Sequence, residues 1–288
     1  MREIEGVYAA NVTPFVDDGS LAVDEDAYLE HVSWLAEMGV RGIVPFGTNG
    51  EGPSLTLGEK LRGLEALFER GLPLQIIPAV MQNNLPETLE MLRALEDYPA
   101  TAVLVLPPYY FKPVEPQGMV RFYESALAAT GHTAIVYHIP KYAVPVPPQL
   151  VSELPVWGVK DSGGEDGYAE AVLADGKGVL LGTEDDLWRR LDTGAQGVIS
   201  ALANFIPEDV LALYEKRGEG EEEGMALSER LQQARAKTKE YASPAVLKKL
   251  AQARHGARMG TVRPPFVPVP ADYDPTPTLR AVGQEAGR

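Results

Sequence analysis

Residues 156–165 read VWGVKDSGGE, a short apolar run with a lysine inside it and a glycine-rich turn behind it. Side chains alternate across a strand, so Gly158 and Lys160 share one face and Trp157 and Val159 the other. With the bulky pair against a helix layer, Lys160 points into the interior of the sheet and Gly158 leaves space beneath it. Burial disfavours the charged form of an amine and leaves it a nucleophile for carbonyl compounds. The competing reading is a lysine that pairs with a carboxylate, or that reaches the strand end with its head in water. What the neighbouring segments place around it decides between the two.

Seven further apolar runs accompany this one: GVYAANV, RGIVPFG, PLQIIPAV, TAVLVLP, TAIVYHI, GVLLGT and QGVISALA. Segments of helical period separate them. In VDEDAYLEHVSWLAEMG, Tyr28, Val32 and Leu35 recur at three- and four-residue intervals and Gly39 supplies a stop. About eight strand–helix units by residue 217 predict a closed (β/α)8 TIM barrel over residues 1–217. An open doubly wound sheet is disfavoured, because no GxGxxG follows the first run. Beyond the barrel, RGEGEEEG at 217–224 reads as an acidic linker, and MALSERLQQARAKTKEYA and SPAVLKKLAQARHG as helices. VRPPFVPVPADYDPTP reads as an extended, proline-rich chain end. Residues 218–288 are thus expected to form a helical extension packed on the barrel.

The 288 residues are 45% hydrophobic, enough for a large core, and carry a formal net charge of −15. Nucleic acid and anionic membranes need clustered Lys and Arg, so neither is expected as a partner. No apolar run approaches the ~20 residues of a membrane span, and the start MREIEGVYAANVTPF lacks the basic and apolar regions of a signal peptide. Without cysteine there is no disulfide, thiolate metal site or thiol nucleophile. A cytoplasmic enzyme acting on a small molecule is the expectation.

Chemistry in such barrels sits at the C-terminal ends of the strands. TAIVYHI puts Tyr137 on the face shared with Thr133 and Ile135, one run before Lys160, where a phenol can relay protons to an amine. Taken alone, it reads more readily as a core tyrosine with a satisfied hydroxyl. In VPFGTNGEGPS, residues 44–54, Thr48 and Asn49 sit between Gly47 and Gly50, in a turn whose amides can converge on a carboxylate. An ordinary strand-to-helix connection has the same look. LPPYYFKP sets Tyr109 and Tyr110 after another run, on a path fixed by prolines. His138 lies on the opposite face from Tyr137, toward the helices. His31, His132 and His255 have no metal-site spacing, and no metal is expected.

GTNGE, PPYYF, YHIP, GVKDSGG and GVISALAN, in this order and spanning nearly the whole chain, resemble the pyruvate-dependent class I aldolases. This is the family of dihydrodipicolinate synthase and N-acetylneuraminate lyase. The resemblance implies that Lys160 forms a Schiff base with C2 of pyruvate, without any other cofactor, and that Tyr137 is the general acid and base. It implies that Thr48 links Tyr137 to a second tyrosine given by a neighbouring subunit, at the position of Tyr110. Gly47 and Asn49 would belong to the pyruvate carboxylate pocket, with Ile199 bordering the bound ketoacid, and Gly182 resembles the strand-seven glycine of the site. Glu184 and Asp185 resemble acidic residues near the substrate polyol, although acidic residues at a helix start are also good caps.

The departures bear on substrate. The turn carries Thr48 and Asn49 where family members often have Thr-Thr or Ser-Thr. Tyr142, with Lys141 beside it, stands where dihydrodipicolinate synthases carry an arginine that clamps the carboxylate of the second substrate. A phenol does not replace a bidentate guanidinium. The expected function is therefore an aldolase that splits or forms a 2-oxo-3-deoxy sugar acid or a 4-hydroxy-2-oxo acid, giving pyruvate and an aldehyde; the family resemblance implies a homotetramer built from two dimers. The alternatives are dihydrodipicolinate synthase itself, condensing pyruvate with aspartate semialdehyde, and a non-catalytic ketoacid-binding regulator on the same fold.

Overall fold

The computed structural model describes residues 3–218 and 220–285. Met1, Arg2 and the last three residues of the expected extension, 286–288, lie outside the described residues, as does Glu219 of the expected linker. Every apolar run forms a parallel strand: β1 (Gly6–Ala9), β2 (Gly42–Ile43), β3 (Gln75–Ile76), β4 (Ala79–Val80), β5 (Val103–Val105), β6 (Ala134–His138), β7 (Gly158–Asp161), β8 (Gly178–Leu181) and β9 (Gly197–Ser200).

The hydrogen-bonded order runs β3-β2-β1-β9-β8-β7-β6-β5-β4. Its two ends are halves of one run, PLQIIPAV, divided at Pro78, which has no amide hydrogen to give. On one side Ile77 and Ala79 donate to the Ile43 and Pro45 carbonyls, each at 3.0 Å. On the other, the Pro78 and Val80 carbonyls accept from Leu104 and Leu106 at 2.9 and 3.0 Å. One segment therefore bonds to both β2 and β5, and the sheet closes into the expected barrel.

Strand alternation produces two cores. Tyr8, Ile77, Leu104, Ile135, Tyr137, Leu180 and Ile199 fill the interior. Val7, Val103, Val105, Val136, Val159, Val179 and Val198 face outward into a larger apolar layer beneath the helices. A strand buried on both faces reads as a continuous apolar run, as these do.

The outer layer holds α1 (Glu25–Glu37), α2 (Leu57–Arg70), α3 (Leu85–Leu95), α4 (Pro116–Leu127), α5 (Pro148–Glu153), α6 (Tyr168–Ala174), α7 (Leu187–Asp192) and α8 (Pro207–Glu215). Local chemistry sets their ends. Asp24 caps α1, and Gly39 behind it takes a left-handed φ of +83°. Thr56 and Glu59 make a reciprocal capping box on α2.

The extension contributes α9 (Glu221–Lys237), α10 (Ser243–His255) and α11 (Thr276–Ala281). Here the structure departs from the sequence reading. The acidic stretch expected as linker supplies the first turn of α9, where Glu221, Glu222 and Glu223 complement the positive end of the helix dipole. Gly224 in that turn lies against the Trp188 ring, where a Cβ would come within 2.4 Å of ring carbons. The proline-rich end is anchored rather than merely laid over the surface. Thr261 bridges to Phe15, and the Phe15 ring carries Lys248 Nζ on one contact and the Arg263 guanidinium on another, at 4.1 and 4.4 Å.

Candidate active site

Tyr137 and Lys160 are register partners on β6 and β7. Both side chains point into the barrel at the C-terminal ends of their strands, 2% and 4% exposed, so the lysine is withdrawn from water. Lys160 Nζ lies 4.2 Å from the Tyr137 ring centroid. The tyrosine hydroxyl and Thr48 Oγ1 share a hydrogen bond of 3.1 Å.

Glycines shape the lysine's surroundings. A Cβ on Gly182 would lie 3.0 Å from Lys160 Cε and 2.0 Å from Ser162 Oγ, so only glycine leaves the amine its channel. Gly158 has a different task from the one expected. A Cβ there would lie 1.9 Å from the Gly178 carbonyl oxygen, so this glycine lets β7 and β8 approach rather than opening space under Lys160.

These groups open onto a cavity of about 400 Å³ at the C-terminal end of the barrel. Ala10, Ile199 and Ala201 border it on the β1 and β9 side, Thr48 and Asn49 on the side of the turn after β2. The turn is held from behind. Glu51 takes a left-handed φ of +53° and is buried, accepting from Lys248 Nζ at 2.6 Å and from the Arg263 amide at 3.0 Å. Burial pulls Lys248 down to about 8, and the Glu51 carboxylate resists that fall. Asn49 Oδ1 accepts from Ser243 Oγ at 3.3 Å, which ties the turn to the start of α10.

Behind Lys160, Asp161 is fully buried and accepts from the Gly163 and Gly164 amides at 2.9 and 3.2 Å. Its other oxygen pairs with Arg190. The glycine turn after the lysine is thereby fixed, and Ser162 and Gly163 form part of the cavity wall.

The remaining expected residues divide. Asp185 and Tyr142 line the cavity, as does Lys141, whose amine sits 5.0 Å from the Tyr142 ring centroid. Glu184 does not line it. That carboxylate is buried and accepts from Ser200 Oγ at 2.6 Å and the Ala201 amide at 3.2 Å, with Arg235 Nε 3.4 Å away. Tyr110 stands apart from the cavity, 74% exposed and edge-on to Phe111. His138 faces the helices, as alternation predicts.

The sequence reading missed the wall built by the extension. Arg235, Lys239, Tyr241 and Ser243, around the α9–α10 connection, line the cavity together with Phe266. Nothing local marks them, because they reach the site only through the packing of α9 and α10. Ser162 was within reach of the sequence, lying two positions beyond Lys160 on the same strand face.

A larger cavity, about 780 Å³, opens at the opposite end of the barrel between Glu3, Thr101, Trp157 and Lys177. The Lys177 amine there donates to the Leu154 and Val156 carbonyls at 2.8 and 3.1 Å. Among the described residues no three His, Cys, Asp or Glu side chains gather as a metal site, and no helix is long and apolar enough to cross a membrane.

The sequence model of the Dihydrodipicolinate synthetase family matches residues 3–281. The chain belongs to this family. Members of the dihydrodipicolinate synthetase family are lyases that form a Schiff base on a lysine. The 4-hydroxy-tetrahydrodipicolinate synthase of Methanopyrus kandleri is 32% identical over 231 residues, 77% of this chain and 76% of that protein. That of Methanospirillum hungatei is 30% identical over 229 residues, 76% of this chain and 78% of that protein. Among solved structures, a dihydrodipicolinate synthase superposes with a TM-score of 0.88 at 26% identity, covering 97% of this chain and 99% of the other. The 2-keto-3-deoxygluconate aldolase of Sulfolobus solfataricus, solved with D-KDPG, gives 0.88 at 21% identity, with 97% and 95% covered, and shares the barrel.

Proposed function

We propose that the chain is a pyruvate-dependent aldolase of 2-oxo-3-deoxy sugar acids or short 4-hydroxy-2-oxo acids, with Lys160 as its nucleophile. The observation that carries this reading is Lys160 and Tyr137 side by side in one cavity, with Thr48 on the phenol. The Lys160 amine adds to the C2 ketone and water leaves, giving a protonated imine. Tyr137 takes the proton of the C4 hydroxyl, the C3–C4 bond breaks, and its electron pair passes into the imine to form an enamine while the aldehyde departs. Protonation at C3 and hydrolysis of the imine release pyruvate and restore the amine. Run backwards, the enamine attacks an aldehyde. The imine is the electron sink, so no metal or organic cofactor is called for.

Thr48 and Asn49, in the turn that Gly47 opens, would receive the ketoacid carboxylate, with Ile199 and Gly182 along its length and Asp185 and Tyr142 toward the aldehyde. Glu184 fits a supporting role better than a polyol contact, since its oxygens already serve Ser200, Ala201 and Arg235. Tyr110, exposed and remote, fits donation to the cavity of a second copy, within a homotetramer of two dimers. The cytoplasmic setting expected from composition stays part of this reading.

The curated relatives named above favour a second reading, condensation of pyruvate with aspartate semialdehyde. Against it stands Tyr142 at the position of the clamping arginine. Parallel assays of pyruvate with glyceraldehyde and with aspartate semialdehyde separate the two. Faster turnover of glyceraldehyde supports the sugar-acid reading, and faster turnover of the semialdehyde overturns it.

A further inference from the structure

His138 follows Tyr137 on β6 and points the other way, into the layer between barrel and helices, where it is buried. Its ring stacks on Tyr168 with centroids 4.0 Å apart. Nδ1 accepts the Val146 amide at 3.2 Å and so carries no hydrogen, which leaves the hydrogen on Nε2 to be donated to the Glu165 carboxylate at 2.8 Å. Tyr168 grips the same residue, its hydroxyl donating to the Val146 carbonyl at 2.7 Å.

Each partner belongs to a different wall of the cavity. Val146 ends the segment 139–146, which presents Ile139, Lys141 and Tyr142 to the cavity. Glu165 ends the turn 162–165, which presents Ser162 and Gly163. The His138 carbonyl also accepts the Ser162 amide at 2.8 Å. Gly163 lies so close to the imidazole–carboxylate pair that a Cβ there would sit 2.7 Å from both His138 Nε2 and Glu165 Oε2. One imidazole outside the barrel therefore ties together two walls of a cavity it does not line.

We propose that His138 is a positioning residue for the aldehyde half of the site. It fixes the segment 139–146 against the turn 162–165, and so sets which aldehydes fit beside the Lys160 enamine. The inference rests on the aldolase reading above. The pyruvate half is held by other means: β6 and β7 carry Tyr137 and Lys160, Gly182 clears the lysine's channel, and Glu51 braces the turn bearing Thr48.

The test uses His138→Asn and Tyr168→Phe, the second deleting only the hydroxyl that grips Val146 while leaving the imidazole in place. Two quantities are read: the borohydride-reduced pyruvate adduct on Lys160, and the KM for aldehyde in condensation with pyruvate. The aldehyde is whichever of glyceraldehyde and aspartate semialdehyde the unaltered protein turns over. Loss of one hydrogen bond in the wall should raise the aldehyde KM about tenfold, with adduct yield and pyruvate KM held within about twofold. Equal weakening of both halves, or an unchanged aldehyde KM in both variants, overturns the proposal. An unaltered protein that forms no adduct overturns the aldolase reading itself, and this proposal with it.

Discussion

The Tyr137 hydroxyl, hydrogen-bonded at 3.1 Å to Thr48, belongs to the same ring whose centroid lies 4.2 Å from the Lys160 amine. The aromatic face meets the lysine amine while the phenolic oxygen is held at the cavity by a second hydroxyl. In the mechanism proposed above, proton transfer and imine chemistry fall to different atoms of these neighbouring side chains.

That division predicts that Tyr137→Phe keeps the ring against Lys160 but loses the proton relay. Turnover should fall by roughly 10²–10⁴-fold, the usual worth of a general acid-base group. Steady-state rates check this, and a variant within threefold of the parent would contradict the assignment.

Gly182→Ala drives a methyl group toward Lys160 Cε and Ser162 Oγ. Overpacking at such a site costs about 1–3 kcal/mol and displaces the side chains it strikes. The expected result is a folded protein, by circular dichroism, in which adduct formation on Lys160 is slowed far more than unfolding is eased. Adduct formation at the parent rate would show that the channel is wider than its glycine implies.

His31 and His255 predict the acid limb of stability. Asn204 gives its amide hydrogens to the Ala10 and Ala201 carbonyls, so its Oδ1 accepts from His31 Nε2 at 2.9 Å. His31 Nδ1 is then bare and accepts from His255 Nε2 at 3.0 Å. Burial, reinforced by His255, holds His31 down at about 3, and burial, reinforced by Arg254, holds His255 at about 4. In the unfolded chain both titrate near the ordinary value of about 6.5, so the unfolded state binds more protons between these limits. Stability is complete above about 6.5 and is lost as pH falls through that window, by up to about 1.4 kcal/mol per pH unit for His31 and less for the part-exposed His255. Urea unfolding between pH 7 and 4.5 should show a shallower loss in His31→Gln than in the parent, and equal slopes would refute the linkage.

Lys248→Met strands the Glu51 carboxylate with one amide donor in a buried site. Removing one partner of a buried pair costs about 3–5 kcal/mol, whereas removing both costs less. Chemical denaturation should therefore rank the single variant below Lys248→Met combined with Glu51→Gln. The reverse order would mean that Lys248 acts on something other than Glu51.

Much of this fold was legible because each strand is buried on both faces and reads as an apolar run. The break between β3 and β4, which the single run PLQIIPAV did not anticipate, follows from Pro78. Lys160 and Tyr137 were legible because alternation and barrel geometry send both to one end of the interior. The limits were long-range. Arg235 and Ser243 join the cavity only because α9 and α10 fold back over the barrel mouth, and no local periodicity encodes that return. Glu184 looks like a substrate contact until Ser200, on the next strand, is seen to engage it. The glutamates of α9 look like linker until Gly224 is seen against Trp188.

The most direct measurement of the central claim is intact mass after incubation with pyruvate and borohydride, followed by peptide mapping. The account predicts a single reduced pyruvyl adduct on Lys160, absent from Lys160→Ala. A folded protein that gains no adduct, or gains it on another lysine, would contradict it.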